Sequence, residues 1–166
     1  MLPLKFPSSY DLEYEYETPK GLISIRMSSD GKGKTLEDTS GGNLRTIKVI
    51  DYAEKSIRTA YVLGKIIHKT GLKESYEEPT EDVLDRKATK YLGEQSLLGF
   101  ACKGWLFEGS NSISEMWIAS TERFIVLHKS VFENQKYVMT LLKHNSVEPS
   151  SDLFVLPSGY EELEIP

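Results

Sequence analysis

From Tyr10 onward the chain keeps changing sides. Leu12, Tyr14 and Tyr16 alternate with Asp11, Glu13, Glu15 and Glu17, and side chains of a strand point to opposite faces in turn. The spacing predicts a strand with one apolar face and one acidic face in water. Thr18-Pro19-Lys20-Gly21 is turn chemistry, because proline presets φ and glycine accepts positive φ. Ile23, Ile25 and Met27 then alternate with Ser24 and Arg26, which predicts a hairpin.

The rhythm recurs. Arg45–Asp51 alternates through Ile47 and Val49, and Asp51–Ser56 is a polar turn. Residues 57–68 read as one long strand through Ile57, Tyr61, Val62, Leu63, Ile66 and Ile67. Leu97–Glu108, Ser114–Ala119 and Arg123–Val131 read as three more, the first two joined by the turn Glu108-Gly109-Ser110-Asn111. Residues 28–43 are polar and glycine-rich with Leu36 as their apolar residue, and read as a loop or a frayed strand. Within 132–144 two patterns compete. Val131, Gln135, Val138, Leu141 and Leu142 have helical spacing, while Tyr137–Leu142 is strand material.

The alternation breaks at Lys73–Lys90. Thr80 is placed to cap a helix whose first residues, Glu81 and Asp82, suit its positive end. Val83, Leu84, Ala88 and Tyr91 would share its apolar side. The expected fold is mainly β (α+β): a curved antiparallel sheet forming an incomplete barrel, with one or two helices covering the concave face. A length of 166 residues fits one domain spanning 1–166, with 1–9 as an extended N-terminal segment.

Several function classes fall away on composition. A net charge of −5 argues against a broad grip on nucleic acid. No apolar run is long enough for a transmembrane helix. Met1–Tyr10 carries Pro3, Pro7, Ser8 and Ser9 where a signal peptide needs apolar residues, so either the protein is made without a signal or one has been removed.

No convergent catalytic or metal set emerges. Ser28–Thr35 imitates a phosphate-binding loop through Gly33-Lys34-Thr35, but places Ser28 where the loop needs glycine or alanine and continues into no apolar helix. A solvated turn is the better reading. The acidic residues Glu74, Glu77, Glu78, Glu81, Asp82 and Asp85 lack the glycine and ligand spacing of a calcium loop and fit a solvated helix start. His68, His128 and His144 stand apart at expected strand ends, with no second ligand at metal spacing. Cys102, the single cysteine, lies inside a strand and reads as a buried thiol rather than a nucleophile. The expectation is a non-enzymatic protein with no metal and no cofactor.

The C-terminal run Phe154-Val155-Leu156-Pro157-Ser158-Gly159-Tyr160, followed by Glu-Glu-Leu-Glu-Ile, resembles the C-terminal signature of the bacterial lipoprotein-carrier-like (LolA-like) half-barrel superfamily. Leu92–Trp105 looks like the strand such domains place before a tryptophan strand, here Glu115–Ala119. The resemblance lies mainly over residues 92–165. It implies a carrier or sensor of the bacterial cell envelope for an apolar ligand, a lipid or a lipoprotein acyl chain. A periplasmic location would require that a signal has been removed. The alternative is a protein–protein interaction module with a filled interior. For the carrier, Tyr61, Trp105, Phe107 and Trp117 are the expected lining residues. Trp105 and Phe107 share a face opposite Phe100 and Cys102, so one of these two sets can face a cavity and the other cannot.

Overall fold

The computed structural model describes residues 5–166. Among them are twelve strands: β1 (Tyr10–Thr18), β2 (Gly21–Ser29), β3 (Lys34–Gly41), β4 (Leu44–Asp51), β5 (Ser56–Tyr61), β6 (Ile66–Gly71), β7 (Lys90–Leu97), β8 (Phe100–Glu108), β9 (Ser112–Ala119), β10 (Ile125–Phe132), β11 (Gln135–Asn145) and β12 (Glu161–Glu164). A single α-helix among these residues, α1 (Glu81–Lys87), precedes β7, and a 3-10 turn (Ser151–Phe154) precedes β12. The hydrogen-bonded order is β12-β6-β5-β4-β3-β2-β1-β11-β10-β9-β8-β7, an open sheet. Residues 5–9 carry no helix or strand, and the first four residues of the expected extended segment lie outside the described residues.

The sheet is mixed, which corrects the expectation of a wholly antiparallel one. β12 runs parallel to β6, with Glu161 opposite Ile66 and Glu164 opposite Lys69. It arrives through the 151–160 connection rather than by a hairpin, and that is the kind of link a parallel pair requires.

Residues 5–166 pack into two compact units, each drawn from separate stretches of chain. The first takes 5–13, 23–77 and 142–166, and the second 14–22 and 78–141. In the first unit Leu36, Ile47, Val49, Ala60 and Ile67 share one face, because the registers place Leu36 opposite Val49 and Ile47 opposite Ala60, which is in turn opposite Ile67. Phe154 from the 3-10 turn packs onto that face at 6% exposure, with Leu153, Leu156 and Tyr160 around it. What packs on this core is therefore a 3-10 turn and the irregular residues after it.

In the second unit α1 lies against β8. Thr80 caps it as its sequence predicts, with Oγ1 accepting from the Val83 amide. Seven residues are too few to hold a helix by propensity. α1 is anchored by burial of Leu84 against Trp105 and Ile118, by Trp105 Nε1 donating to Asp85 Oδ1 at 2.8 Å, and by Lys103 Nζ donating to Glu81 Oε1 at 2.8 Å. Tyr91 does not share this helix face. The helix ends at Ala88, whose backbone is extended, and Tyr91 belongs to β7.

The open choice over residues 28–43 resolves as strand at 34–41, where β2 and β4 supply β3 with pairing partners on either side. Three further expectations are corrected. Residues 57–68 are two strands divided by a turn at 62–65, where Lys65 takes φ 50° and Leu63 is exposed. The expected strand Leu97–Glu108 begins at Phe100, after a tight turn through Leu98 and Gly99 that joins it to β7. Asp11, assigned to the wet side of β1, is 4% exposed. The open choice over 132–144 resolves as strand: Glu133 and Asn134, both at positive φ, make a two-residue hairpin turn and β11 pairs with β10 from Gln135 on.

Candidate functional site

The registers of the second unit lay out one face of β8–β11 in rows. Leu106 stands opposite Glu115, Glu115 opposite Lys129, and Lys129 opposite Val138. The next row holds Glu108, Ile113, Val131 and Lys136. Directly opposite side chains share a face, so these rows form one surface. It is hollowed into an open groove of about 320 Å³, lined by Leu106, Ile113, Val131 and Val138, with Glu115, Lys129 and Lys136 as its charged groups. Ile113 is 41% exposed. Lys129 and Lys136 are exposed as well.

One row further along the same face is Gly104 opposite Trp117, with Trp117 opposite Leu127. A Cβ on Gly104 would stand 2.6 Å from the Trp117 ring, so the glycine makes room for the indole to lie flat against the strand. Trp117 Nε1 donates to Glu115 Oε1. Trp117 is thus held from below by the space at Gly104 and from the side by Glu115, one of the groove's charged residues.

The expected lining residues of the second unit, Trp105, Phe107 and Trp117, divide between two faces. Trp105 is 2% exposed and packs under α1, with Phe107 half-buried in the same cluster. Trp117 lies on the opposite face of β8–β9, because Trp105 pairs with Met116 and Gly104 with Trp117. Tyr61 belongs to the first unit, at the end of β5, with its ring 4.9 Å from His68. Leu106, Ile113, Val131 and Val138 were missed. Each is an ordinary strand residue in the sequence, and what joins them is the register, which alternation alone does not reveal.

The chemically notable residues take other roles. Cys102 is 1% exposed, its thiol donates to the Phe100 carbonyl, and burial pushes its pKa up, all of which disfavour the thiolate. His128 sits in mid-strand rather than at an exposed end; burial lowers its pKa, and its Nε2 lies 3.3 Å from Ser114 Oγ. The phosphate-loop imitation is the β2–β3 turn. Asp30 Oδ1 accepts from the amides of Lys32 and Lys34, and Gly31 and Gly33 supply φ of 68° and 116°. Its backbone donors turn inward on Asp30. Among the described residues no three His, Cys, Asp or Glu side chains are grouped to hold a metal ion, and no helix is long and apolar enough to cross a membrane.

The first unit holds a buried polar network that alternation did not predict. Arg26 Nε and Nη2 donate to the two carboxylate oxygens of Asp11 at 2.9 Å each, Ser28 Oγ donates at 2.7 Å, and Asn145 Nδ2 at 2.9 Å. Burial pushes the Asp11 carboxyl up, but these four hydrogen bonds and the Arg26 charge outweigh it and bring the pKa down to about 2. Every partner lies within the protein, and the arrangement ties β1, β2 and β11 together.

No family model matches the chain, and no curated protein sequence matches it. Solved structures do. An uncharacterised conserved protein from Thermus thermophilus superposes with a TM-score of 0.68 at 9% identity, over 95% of this chain and 91% of that one. PNGF-II, in two crystal structures, superposes with TM-scores of 0.53 and 0.55 at 13% and 14% identity. The match takes in 96% of this chain and 32% and 31% of PNGF-II, so this chain spans about a third of that protein's length. At these identities the likeness is one of fold.

Proposed function

We propose that this chain is a non-enzymatic binding domain for an apolar ligand, a lipid or a lipoprotein acyl chain, held on the open face of β8–β11. The observation that supports this is the groove itself. Its volume of about 320 Å³ is at the lower end of ligand sites, and its walls are Leu106, Ile113, Val131 and Val138. An acyl chain needs only apolar contact along its length. Lys129 and Lys136 stand at the same groove, placed to meet an anionic carboxylate or phosphate head. The resemblance of residues 92–165 to lipoprotein-carrier-like domains favours the same ligand class. With it comes the finer architecture of a half-barrel with helical cover on its concave face, and a place in the bacterial envelope.

A second reading has its own support. Trp105 and Phe154 fill the two cores at 2% and 6% exposure, as expected of an interaction module with a filled interior. The same groove would then take an apolar side chain of a protein partner. Native mass spectrometry of the purified protein, with titration of a fluorescent fatty acid, separates the two. The carrier reading expects a co-purifying lipid mass or saturable fatty-acid binding, weakened about tenfold or more by Ile113→Asp, since one buried charge removes at least the contribution of the contacts it replaces. A clean apo mass together with no fatty-acid binding would defeat the carrier and leave the interaction module.

A further inference from the structure

The first unit has a cleft of its own, of about 330 Å³, between the face of β4–β6 and the segment after the 3-10 turn. Val49, Ile67, Phe154 and Leu156 form its apolar wall. Its polar side comes from two adjacent rows. Lys34 is opposite Asp51 and Asp51 opposite Ser56; one row on, Val49 is opposite Arg58. Asp51 and Arg58 are therefore diagonal neighbours on one face, about 7–8 Å apart.

Arg58 is the informative residue. Its Nε is a buried side-chain nitrogen with no hydrogen-bond partner among the described residues. Its Nη2 reaches Glu162 Oε1 only at 3.5 Å, and both side chains of that pair are well exposed. Nε is closed to solvent and so to a ligand, but the side chain is 44% exposed, which leaves the outer end of the guanidinium open to the hydrogen bonds of a carboxylate. The rest of the cleft is unsuited to a bare anion. Asp51, Glu54 and Glu162 line it against Lys34 and Arg58, three negative charges to two positive. Asp51 is held in place: Oδ1 accepts from the Glu54 amide, and Oδ2 is 3.9 Å from Lys34 Nζ. A ligand that fits must present an acceptor to Arg58, a positive group to the carboxylates and an apolar body to Phe154 and Leu156.

We propose that this cleft binds a small zwitterion, a free amino acid or dipeptide with an apolar side chain, with its carboxylate on Arg58 and its ammonium among Asp51, Glu54 and Glu162. The site is separate from the β8–β11 groove and does not depend on what that groove takes. The test is isothermal titration calorimetry with L-leucine and L-leucyl-L-leucine, alongside leucinamide, which lacks the carboxylate, and 4-methylpentanoate, which lacks the ammonium. At least one zwitterion should bind, both single-charge analogues should bind about tenfold more weakly or worse, and Arg58→Gln should lose the zwitterion to a similar degree. Ile113→Asp should leave this binding unchanged. Far-UV circular dichroism checks that Arg58→Gln is folded; if it is not, the analogue series on the unaltered protein decides. No zwitterion binding up to on the order of 10 mM, analogues that bind as tightly as the zwitterion, or a folded Arg58→Gln that binds as tightly as the unaltered protein would each overturn the proposal.

Discussion

A carboxylate that takes four hydrogen bonds out of water makes a fold sensitive to acid. Asp11 has a folded-state pKa of about 2 against its usual 3.8. The unfolded state therefore binds the proton more readily, and the network contributes its full share only above the unfolded value. That contribution is about 2 kcal/mol. It shrinks as pH falls below about 4 and is gone below about 2. Denaturant midpoints measured from pH 5 down to pH 2 should show this loss. Asp11→Asn should be less stable at pH 7 by about 2–4 kcal/mol, since Arg26 is left facing an amide, and should lack most of the slope below pH 4. An Asn variant with the parent slope would mean another carboxylate carries it. Gly104 tests packing at the same scale. Its missing Cβ would lie 2.6 Å from the Trp117 ring, so Gly104→Ala should cost about 1–3 kcal/mol and shift tryptophan emission as the indole is displaced. Neither residue was legible as special. Asp11 sits on the acidic side of an alternating run, and its burial depends on Arg26, Ser28 and Asn145, the last 134 positions away.

Among the elements, strands show in the sequence where their own residues alternate. β1, β2 and β4 carry runs of apolar side chains at every second position, and their presence follows from that; β9 was legible through its run of aromatic and branched residues instead. β3 stayed open between loop and frayed strand because Lys34–Gly41 has Leu36 as its one large apolar side chain; pairing with β2 and β4 forms it, so tertiary context decides what composition does not. β5 and β6 merged because Val62 and Leu63 extend the apolar run across a turn. α1 was legible through its cap, which depends on a local hydrogen bond from Val83 to Thr80. The 3-10 turn at 151–154 has no alternation to announce it, yet Phe154 is the residue it buries against Leu36, Ile47 and Val49. Phe154→Ala should therefore destabilise the protein by about 3–5 kcal/mol, as removal of a core aromatic does, measured by urea denaturation. A cost under about 1 kcal/mol would mean that the turn lies on the core without contributing to it. The groove was illegible for a different reason. Leu106, Ile113, Val131 and Val138 each belong to a strand that sequence found or left open, but the row that unites them exists only once four strands are set in register.

At the scale of the whole molecule, neither compact unit is a continuous stretch of chain. The second consists of 78–141 together with 14–22, a segment contributed from β1 and the start of β2. Tyr14 shows what that segment supplies. It is 2% exposed, and its hydroxyl donates to the Ile125 carbonyl at 2.7 Å, a contact between residues 111 positions apart. Tyr16 stacks on Tyr137 with ring centroids 6.1 Å apart. A fragment of residues 78–141 would retain β7–β10, most of β11 and all of α1, and so would keep the hairpins that form between neighbours in sequence. It would lose both tyrosines, uncover the side of β11 that pairs with β1, and leave a long strand edge open to other chains. The burial of one large aromatic is worth about 1.5–3 kcal/mol, a large part of the marginal stability of a small domain. The fragment should therefore give weak near-UV circular dichroism and self-associate, whereas the full chain should unfold with a single sharp thermal transition in far- and near-UV signals. Adding a peptide of residues 10–22 in trans should restore part of the near-UV signal. A monomeric fragment with native-like near-UV ellipticity and cooperative melting would show that β8–β11 and α1 hold together without the N-terminal strand, and that Tyr14 and Tyr16 are peripheral to the core.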